Sequence, residues 1–272
     1  MQPMQKDETM DDWRVIPLEG VHNFRDYGGY ALAGGGKLKR GVLWRSGQHA
    51  GATDSDLGRL AEVGLASVFD LRTSRERELY PCRRPEGFSA QIVYSDDPDR
   101  PKFAPHIEAA RGFARARDAA FVHEMMTDTY TRIAFRPELL AMTRAHAEAL
   151  TRGDGPSLIN CMAGKDRTGI AVAAIQLAAG VHRDDVMADY LLTNTAGDSE
   201  ARIRAGMKTV RGVNSDMSDE AARAIMGVEP EYLEAAFASI DERHGSIDGW
   251  LAEALVLDEA ARERLREAIA EG

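Results

Sequence analysis

The chain has 272 residues, of which 44% are hydrophobic and 29% are charged, a composition typical of a globular protein with enough material for a core. Its 34 basic and 44 acidic side chains give a net charge of −10, which argues against nonspecific binding to nucleic acid or to anionic membranes. Two cysteines do not make a disulfide framework, and the longest apolar run, residues 169–181, is too short for a stable membrane anchor.

The first 12 residues are polar and acidic and lack the apolar core of a secretory signal. We expect residues 1–12 to form a flexible tail, with residues 13–272 folded as one domain. A cytoplasmic location is the default expectation, and secretion without a signal peptide is the alternative.

Short strands and helices alternate in the part of the chain that follows the tail. Glycine-rich turns predict a hairpin between residues 30–33 and 39–45. A T-x-x-D capping pattern at Thr53 and Asp56 predicts a helix that extends to Val63. Further strand patterns occur at 13–17, 66–71, 91–95 and 157–160. This alternation predicts an α/β fold with a mainly parallel central sheet and helices on both faces.

Helical patterns dominate the second half of the chain. Residues 103–131 have a polar helical face and predict an insertion, either a mobile lid or a surface helix. Pro137 starts a helix in which we expect His146 to be partly exposed and without a role. Residues 195–228 are polar and are expected to be irregular, and a last group of helices begins at Pro230.

The stretch L-I-N-C-M-A-G-K-D-R-T-G at 158–169 has the pattern of a buried strand, a tight loop and the beginning of an apolar helix. A loop in this position turns successive backbone N–H groups toward one point, where the helix dipole adds positive potential. The sequence therefore predicts a phosphate cradle. Its backbone N–H groups belong to Met162, Ala163, Gly164, Lys165, Asp166 and Arg167.

The side chains of this loop supply a nucleophile and a clamp. The positive field favours the thiolate of Cys161, and the planar fork of Arg167 can hold two phosphate oxygens at once. This pairing implies attack of sulfur on a phosphate ester and a phosphocysteine that water then hydrolyses. Thr168 lies where its hydroxyl could hydrogen-bond the sulfur and ease its departure. A buried structural cysteine is the alternative interpretation.

The run N-C-M-A-G-K-D-R-T-G at 160–169 resembles the signature loop of the cysteine-dependent phosphatases. Its G-K-D-R-T-G version is similar to that of a bacterial and fungal tyrosine phosphatase family, which includes a secreted mycobacterial phosphatase and a Listeria lipid phosphatase. Other stretches also resemble that family's motifs: H-N-F-R-D-Y-G-G at 22–29, L-W-R-S-G at 43–47, F-D-L-R-T-S-R-E-R-E at 69–78 and D-Y-L-L-T-N at 189–194. The resemblance implies the cysteine-dependent phosphatase fold, a phosphatase activity, and no metal or other cofactor.

The resemblance also implies residues that support the loop. It places Asp70 and Arg72 near the loop, where support is the expected role and direct contact with substrate the alternative; Arg25 and Asp26, within another of the motifs, are expected to give support as well. Asn160 stands where the family usually has the histidine that braces the loop. Asn can hydrogen-bond backbone but carries no positive charge, so we expect a weakened nucleophile. A pseudophosphatase that binds phosphate without turnover is therefore an alternative.

Hydrolysis of phosphotyrosine is helped by a proton donor, because phenolate is a poor leaving group. We expect Asp166 to be this general acid, with a helix N-terminal carboxylate as the alternative. In many cysteine phosphatases a mobile loop supplies the acid, so an Asp-rich turn is also considered, although a structural turn is preferred there. That turn carries Asp96, Asp97 and Asp99.

The substrate stays open between two classes. Lys165 is expected to add a second cation at the mouth of the site, which suits a phosphoinositide with an additional phosphate; alternatively it balances the charge of Asp166. A phosphotyrosine protein or peptide is the other candidate, and inorganic phosphate is the product in both cases. A sulfur-transfer enzyme is disfavoured, because rhodanese-type loops seldom continue as G-K-D-R-T-G.

Overall fold

The computed structural model describes residues 13–95, 118–213 and 218–272. The predicted tail, the Asp-rich turn at 96–102 and the first part of the predicted insertion, 103–117, lie outside these residues. The division of the chain into a tail and one domain stays a prediction.

A five-stranded sheet lies at the centre of the fold. Its strands follow the order β1 (Arg25–Asp26), β3 (Leu43–Ser46), β6 (Ser157–Asn160), β4 (Ser67–Asp70) and β5 (Gln91–Tyr94). Strands β3, β6, β4 and β5 are parallel, and β1 pairs antiparallel with β3 at one edge. The predicted central strand is thus confirmed, and so is the mainly parallel sheet. A separate antiparallel pair joins β2 (Lys37–Leu38) to β7 (Ala270–Glu271).

Helices cover both faces of the sheet. Those among the described residues are α1 (Asp54–Val63), α2 (Ser74–Leu79), α3 (Ala119–Ile133), α4 (Pro137–Arg152), α5 (Asp166–Ala179), α6 (Arg183–Leu191), α7 (Ser199–Val213), α8 (Asp219–Met226), α9 (Pro230–His244), α10 (Ile247–Ala254) and α11 (Glu259–Ile269). Thr53 caps α1 with a complete capping box, as its sequence predicts. No helix in the described part of the chain is long and apolar enough to cross a membrane.

The two faces of the sheet bury separate apolar clusters, because successive strand side chains point to opposite faces. Ile159 belongs to the larger cluster, together with the apolar side chains of α5. Leu158 belongs to the smaller one, with Val68 and Trp44. Helix α5 is buried almost all round, which is what its continuous apolar sequence requires.

Two expectations about local structure are wrong. Residues 30–33 pair with β2 at 37–38 and not with 39–45, since Leu38 N donates to Tyr30 O at 2.9 Å and β3 belongs to the central sheet. The region 195–228 is largely helical, in α7 and α8. Its polar composition concealed the apolar face of α8, which buries Ile225 and Met226.

His146 was expected to be partly exposed, and the structure contradicts this. The residue is fully buried in α4, and its ring centroid lies 4.8 Å from that of Phe69 on β4. Neither ring nitrogen has a hydrogen-bond partner among the described residues. Burial lowers the pKa of His146 to about 3, so the ring is neutral at physiological pH.

Candidate functional site

The loop 161–165 joins the central strand β6 to the buried helix α5. Strands β3 and β4 flank β6 in parallel, so that Ser46, Asn160 and Asp70 lie side by side at the carboxyl end of the sheet. Ligands of open α/β sheets bind at this end. The strand ends at Asn160, as predicted, and the helix begins at Asp166.

The backbone of the loop is held against the end of β3. Gly164 has φ +68°, and a Cβ there would lie 2.4 Å from the carbonyl carbon of Ser46, so only glycine fits. The carbonyl of Gly164 accepts from Asn23 Nδ2 at 2.7 Å, and that of Met162 accepts from Gln48 N at 3.0 Å. In a trans peptide the N–H points opposite to the C=O. The N–H groups that follow these carbonyls, on residues 163 and 165, therefore point away from the brace, as an anion cradle requires.

A buried ionic cluster completes this brace. Asp189 on α6 accepts from Arg25 Nε at 3.1 Å and from Arg45 Nη1 at 2.5 Å, and Arg45 Nη2 also donates to Gly164 O at 3.0 Å. Burial and the charge of Arg45 lower the pKa of Arg25 to about 10 against the opposing effect of Asp189. Two arginines and one aspartate leave a positive charge behind the loop.

The family resemblance implied a supporting role for Arg25, but it did not single out Arg45 or Asp189. Arg25 reaches the loop indirectly, since it also donates to Asn23, which holds Gly164. The signal that could have found Asp189 is its place in D-Y-L-L-T-N, a motif quoted for the resemblance without a role for its aspartate.

Arg167 is fixed by Glu76, a residue that the sequence analysis did not assign. Arg167 Nη1 and Nη2 donate to the two carboxylate oxygens at 2.8 and 2.9 Å, and Nη1 also donates to Leu71 O at 3.0 Å. Burial opposes the guanidinium charge, but Glu76 and the nearby Cys161 raise the pKa of Arg167 above its usual value. Arg167 therefore stays charged at every pH at which the protein is folded.

These bonds leave one edge of the guanidinium unused. Its donors are Nε–H and the second hydrogen of Nη2, which lie parallel on the same side of the planar group. Nε is buried and has no hydrogen-bond partner in the described part of the structure. A buried donor without a partner is costly, so this edge is suited to a ligand with two adjacent acceptors. A phosphate group has that geometry.

Cys161 follows β6 directly and is 2% exposed. Thr168 was expected to hydrogen-bond the sulfur and Asn160 the loop backbone, and neither side chain forms that hydrogen bond in the described structure. Within the described residues, the hydroxyl of Thr168 and the side-chain amide of Asn160 have no hydrogen-bond partners. The sequence had suggested that Asn160 could hydrogen-bond the loop backbone, and the structure contradicts this.

Lys165 does not lie at the mouth of the site, so that expectation is wrong. Its side chain is fully buried, and Nζ donates to Ile225 O at 2.6 Å and to Gly227 O at 2.9 Å, at the end of α8. The last carbonyls of a helix lack partners within the helix and attract a cation. Nζ also lies 3.5 Å from Asp166 Oδ1, which agrees with the charge-balance alternative.

Asp166 is buried at the start of α5. Its Oδ1 accepts a hydrogen bond from Tyr130 Oη at 2.9 Å, and Tyr130 Oη accepts one from Tyr190 Oη at 2.8 Å. Neither tyrosine was predicted to be near the site. Tyr130 lies on α3, within the stretch 103–131 that was interpreted as an insertion.

The three remaining candidates form contacts typical of structural support. Asp70 accepts from Arg72 Nε at 2.9 Å and from Nη2 at 2.7 Å, while Arg72 Nη1 donates to Tyr80 O at 2.6 Å. The hydrogen bonds of Asp26 go to backbone outside the loop, so its support of the loop stays a prediction. Its carboxylate accepts from the N–H groups of Gly28 and Gly41 and so fixes two turns beside β1.

A group of three or more His, Cys, Asp or Glu side chains able to hold a metal ion does not occur within the described ranges. The site geometry thus consists of a sulfur, a guanidinium edge and a braced loop at a helix N-terminus.

Comparisons with a protein-family model and with known proteins all match tyrosine phosphatases. The tyrosine phosphatase family matches residues 16–271. The chain is 32% identical over 280 residues to the triple specificity protein phosphatase PtpB of Mycobacterium tuberculosis. The alignment covers 93% of this chain and 98% of that protein. The chain is 30% identical over 247 residues to a protein of Cupriavidus necator that is named as a tyrosine-protein phosphatase, with 90% of this chain and 85% of that protein covered.

Proposed function

The chain belongs to the tyrosine phosphatase family and is a hydrolase of phosphate monoesters, and we propose that its nucleophile is Cys161. The observation that carries the proposal is the unused edge of Arg167. Arg167 is permanently charged, lies at the N-terminus of α5 and is close enough to Cys161 to interact with it electrostatically, and its Nε has no acceptor among the described residues.

In the proposed reaction, phosphate oxygens bind to this edge and to the N–H groups of the loop. The thiolate of Cys161 attacks phosphorus, so that an S–P bond forms while the P–O bond to the leaving group breaks. Water then attacks phosphorus, the S–P bond breaks, and inorganic phosphate leaves. The donors of the loop are already oriented for the charge that develops on the phosphoryl oxygens, which is the largest expected contribution to rate.

Asp166 is the proposed general acid. It lies five residues after Cys161, next to Arg167, and it is buried, which makes a charged carboxylate beside bound phosphate costly and favours the protonated form once phosphate has bound. The proton passes to the leaving oxygen as its bond to phosphorus breaks, and in the second step the Asp166 carboxylate takes a proton from the attacking water, which restores the acid. Thr168, whose hydroxyl is unused in the described structure, is proposed to assist the departure of sulfur in the second step.

Phosphotyrosine is the substrate class that the site supports best. The argument for a phosphoinositide rested on a free cation at the mouth of the site, and Lys165 instead binds the carbonyls at the end of α8. The comparisons give no support to the pseudophosphatase alternative. The cytoplasmic location suggested by the N-terminal sequence stays a prediction.

The test is turnover of p-nitrophenyl phosphate in the presence of EDTA by the wild type and by the Cys161→Ser and Asn160→His variants. We expect the wild type to be active and Cys161→Ser to lose more than about 10³-fold in kcat. Asn160→His should raise the activity if the missing histidine weakens the nucleophile. Retained activity in Cys161→Ser would overturn the assignment of the nucleophile.

A second measurement addresses the thiolate directly. The rate of iodoacetamide labelling of Cys161 should depend on the thiolate fraction, because the thiolate is the reactive form. We expect labelling below pH 8, and saturating inorganic phosphate should suppress it. A sulfur that is inert below pH 8 would count against catalysis by Cys161.

A further inference from the structure

A chain of buried hydroxyl groups ends at the proposed general acid. Tyr190 on α6 donates to Tyr130 on α3, and Tyr130 donates to Asp166 at the start of α5. The side chains come from three different helices, and each residue is at most 2% exposed. None of these contacts is needed to explain how the loop binds phosphate.

When Asp166 is a carboxylate, chemistry sets the direction of the hydrogen bonds in this chain. A carboxylate oxygen can only accept and a phenol has a single hydrogen, so Tyr130 directs its hydrogen at Asp166 Oδ1 and accepts the hydrogen of Tyr190. Burial, followed by the charge of Asp166, raises the pKa of Tyr130 well above its usual value, and burial does the same for Tyr190. Both phenols therefore stay protonated and remain donors at every pH at which an enzyme of this class would work.

We propose that Tyr130 is a positioning residue for proton transfer, that it holds the carboxyl group of Asp166 in place beside bound phosphate, and that Tyr190 holds Tyr130. The inference rests on the proposed function, in which Asp166 protonates the leaving group. Tyr130 keeps its own proton throughout. As the proton leaves Asp166 for the leaving oxygen, a carboxylate forms, and the hydrogen bond from Tyr130 stabilises that charge.

Other charged and titratable groups also face Asp166. Lys165 Nζ lies 3.5 Å from the same oxygen, the neighbouring Arg167 interacts with it electrostatically, and so does Tyr232 on α9. Of these, Tyr232 provides a matched control. Its ring centroid lies 5.5 Å from that of Tyr130, it is fully buried, and its hydroxyl has no hydrogen-bond partner within the described residues.

The experiment compares kcat/KM for two substrates that differ in the leaving group, phosphotyrosine peptide and p-nitrophenyl phosphate. The ratio kcat/KM reports the step in which the leaving group departs, and p-nitrophenol is the more acidic phenol, so it needs less help from a proton donor. We expect Tyr130→Phe to lose about tenfold on the phosphotyrosine peptide and less than about twofold on p-nitrophenyl phosphate. Tyr232→Phe should leave both values unchanged.

Two further variants test the proposed acid itself and provide a second test of the hydroxyl chain. Asp166→Asn should show the same selective loss with a larger magnitude, about 10²-fold or more on phosphotyrosine peptide. Tyr190→Phe should show a smaller selective loss, and it tests the inference independently if Tyr130→Phe does not fold. The thermal unfolding temperature of each variant is measured alongside its activity.

Equal losses on both substrates in Tyr130→Phe, or no loss on either, would overturn the inference, because a merely structural tyrosine does not discriminate between leaving groups. If Asp166→Asn shows no selective loss, the role of Asp166 fails and the inference fails with it, while the nucleophile is unaffected. If the wild type does not turn over p-nitrophenyl phosphate, or if Cys161→Ser does, the proposed function itself fails. These outcomes are distinguishable from one another.

Discussion

Replacing Glu76 with Gln tests whether the fixed orientation of Arg167 matters. The two side chains are 6% and 4% exposed, and they are joined by hydrogen bonds of 2.8 and 2.9 Å. Gln has nearly the same shape as Glu, but it is neutral and offers one acceptor instead of two. The change therefore leaves the guanidinium with a weaker partner while the surrounding packing is kept.

The expected magnitude follows from burial. Removing the charge of one partner in a buried ion pair costs about 3–5 kcal/mol, because the other charge stays without compensation. Gln retains one bond, so we expect a loss of about 3 kcal/mol in the free energy of unfolding, or about 10 °C in Tm for a protein of this size. In the Glu76→Gln variant Arg167 can also turn away from the phosphate. The loss of one N–H donor to the phosphoryl oxygens lowers kcat by about 10²-fold.

The assay combines thermal unfolding with steady-state kinetics on p-nitrophenyl phosphate at a temperature well below Tm. The matched control is Glu78→Gln on the same helix, since Glu78 is 66% exposed and pairs only loosely with Arg75 at 3.4 Å. Glu78→Gln should leave Tm and kcat unchanged. A Glu76→Gln variant with wild-type Tm and wild-type kcat would refute the reasoning that Glu76 holds Arg167.

Three other variants test the interior of the protein. His146→Leu should reduce the loss of stability on acidification. The pKa of His146 in the folded protein is about 3 and lies below the usual 6.5, so the free energy of unfolding falls as the pH falls between these values, by about 1.4 kcal/mol per pH unit; urea titrations at pH 7 and pH 5 measure the difference. An equal pH dependence in the variant would contradict the neutral buried ring. Gly164→Ala should weaken inhibition by inorganic phosphate at least tenfold, because its Cβ would meet the backbone of Ser46 at 2.4 Å. Asp189→Asn should lower the free energy of unfolding by about 3–5 kcal/mol, measured by denaturant titration, since two buried arginines lose their counter-charge.

Much of the fold could be predicted because its signals are local. Three elements show this: the capping box at Thr53, the proline that starts α4 and the apolar strand before Cys161. Each depends only on residues that are close together in the sequence. The 195–228 region shows the limit of this approach. Its average composition is polar, and this concealed a local signal in α8, where Ala221, Ala222, Ile225 and Met226 recur at helical spacing and are buried.

For the candidate site, the sequence by itself determined the order of chemical groups in the loop: a cysteine after a strand, then an arginine at the start of a helix. The spacing along one short segment decides which groups can share a phosphate, and no distant residue is needed for that.

Only the tertiary structure decided which partners control those groups. Glu76 lies 91 residues from Arg167 in the sequence, and Asp189 lies 164 residues from Arg25. It also decided that Lys165 binds the end of α8 and that His146 is buried. The physical reason is that a buried charge must find a partner wherever the packed chain brings one, and sequence spacing carries no information about contacts across such separations.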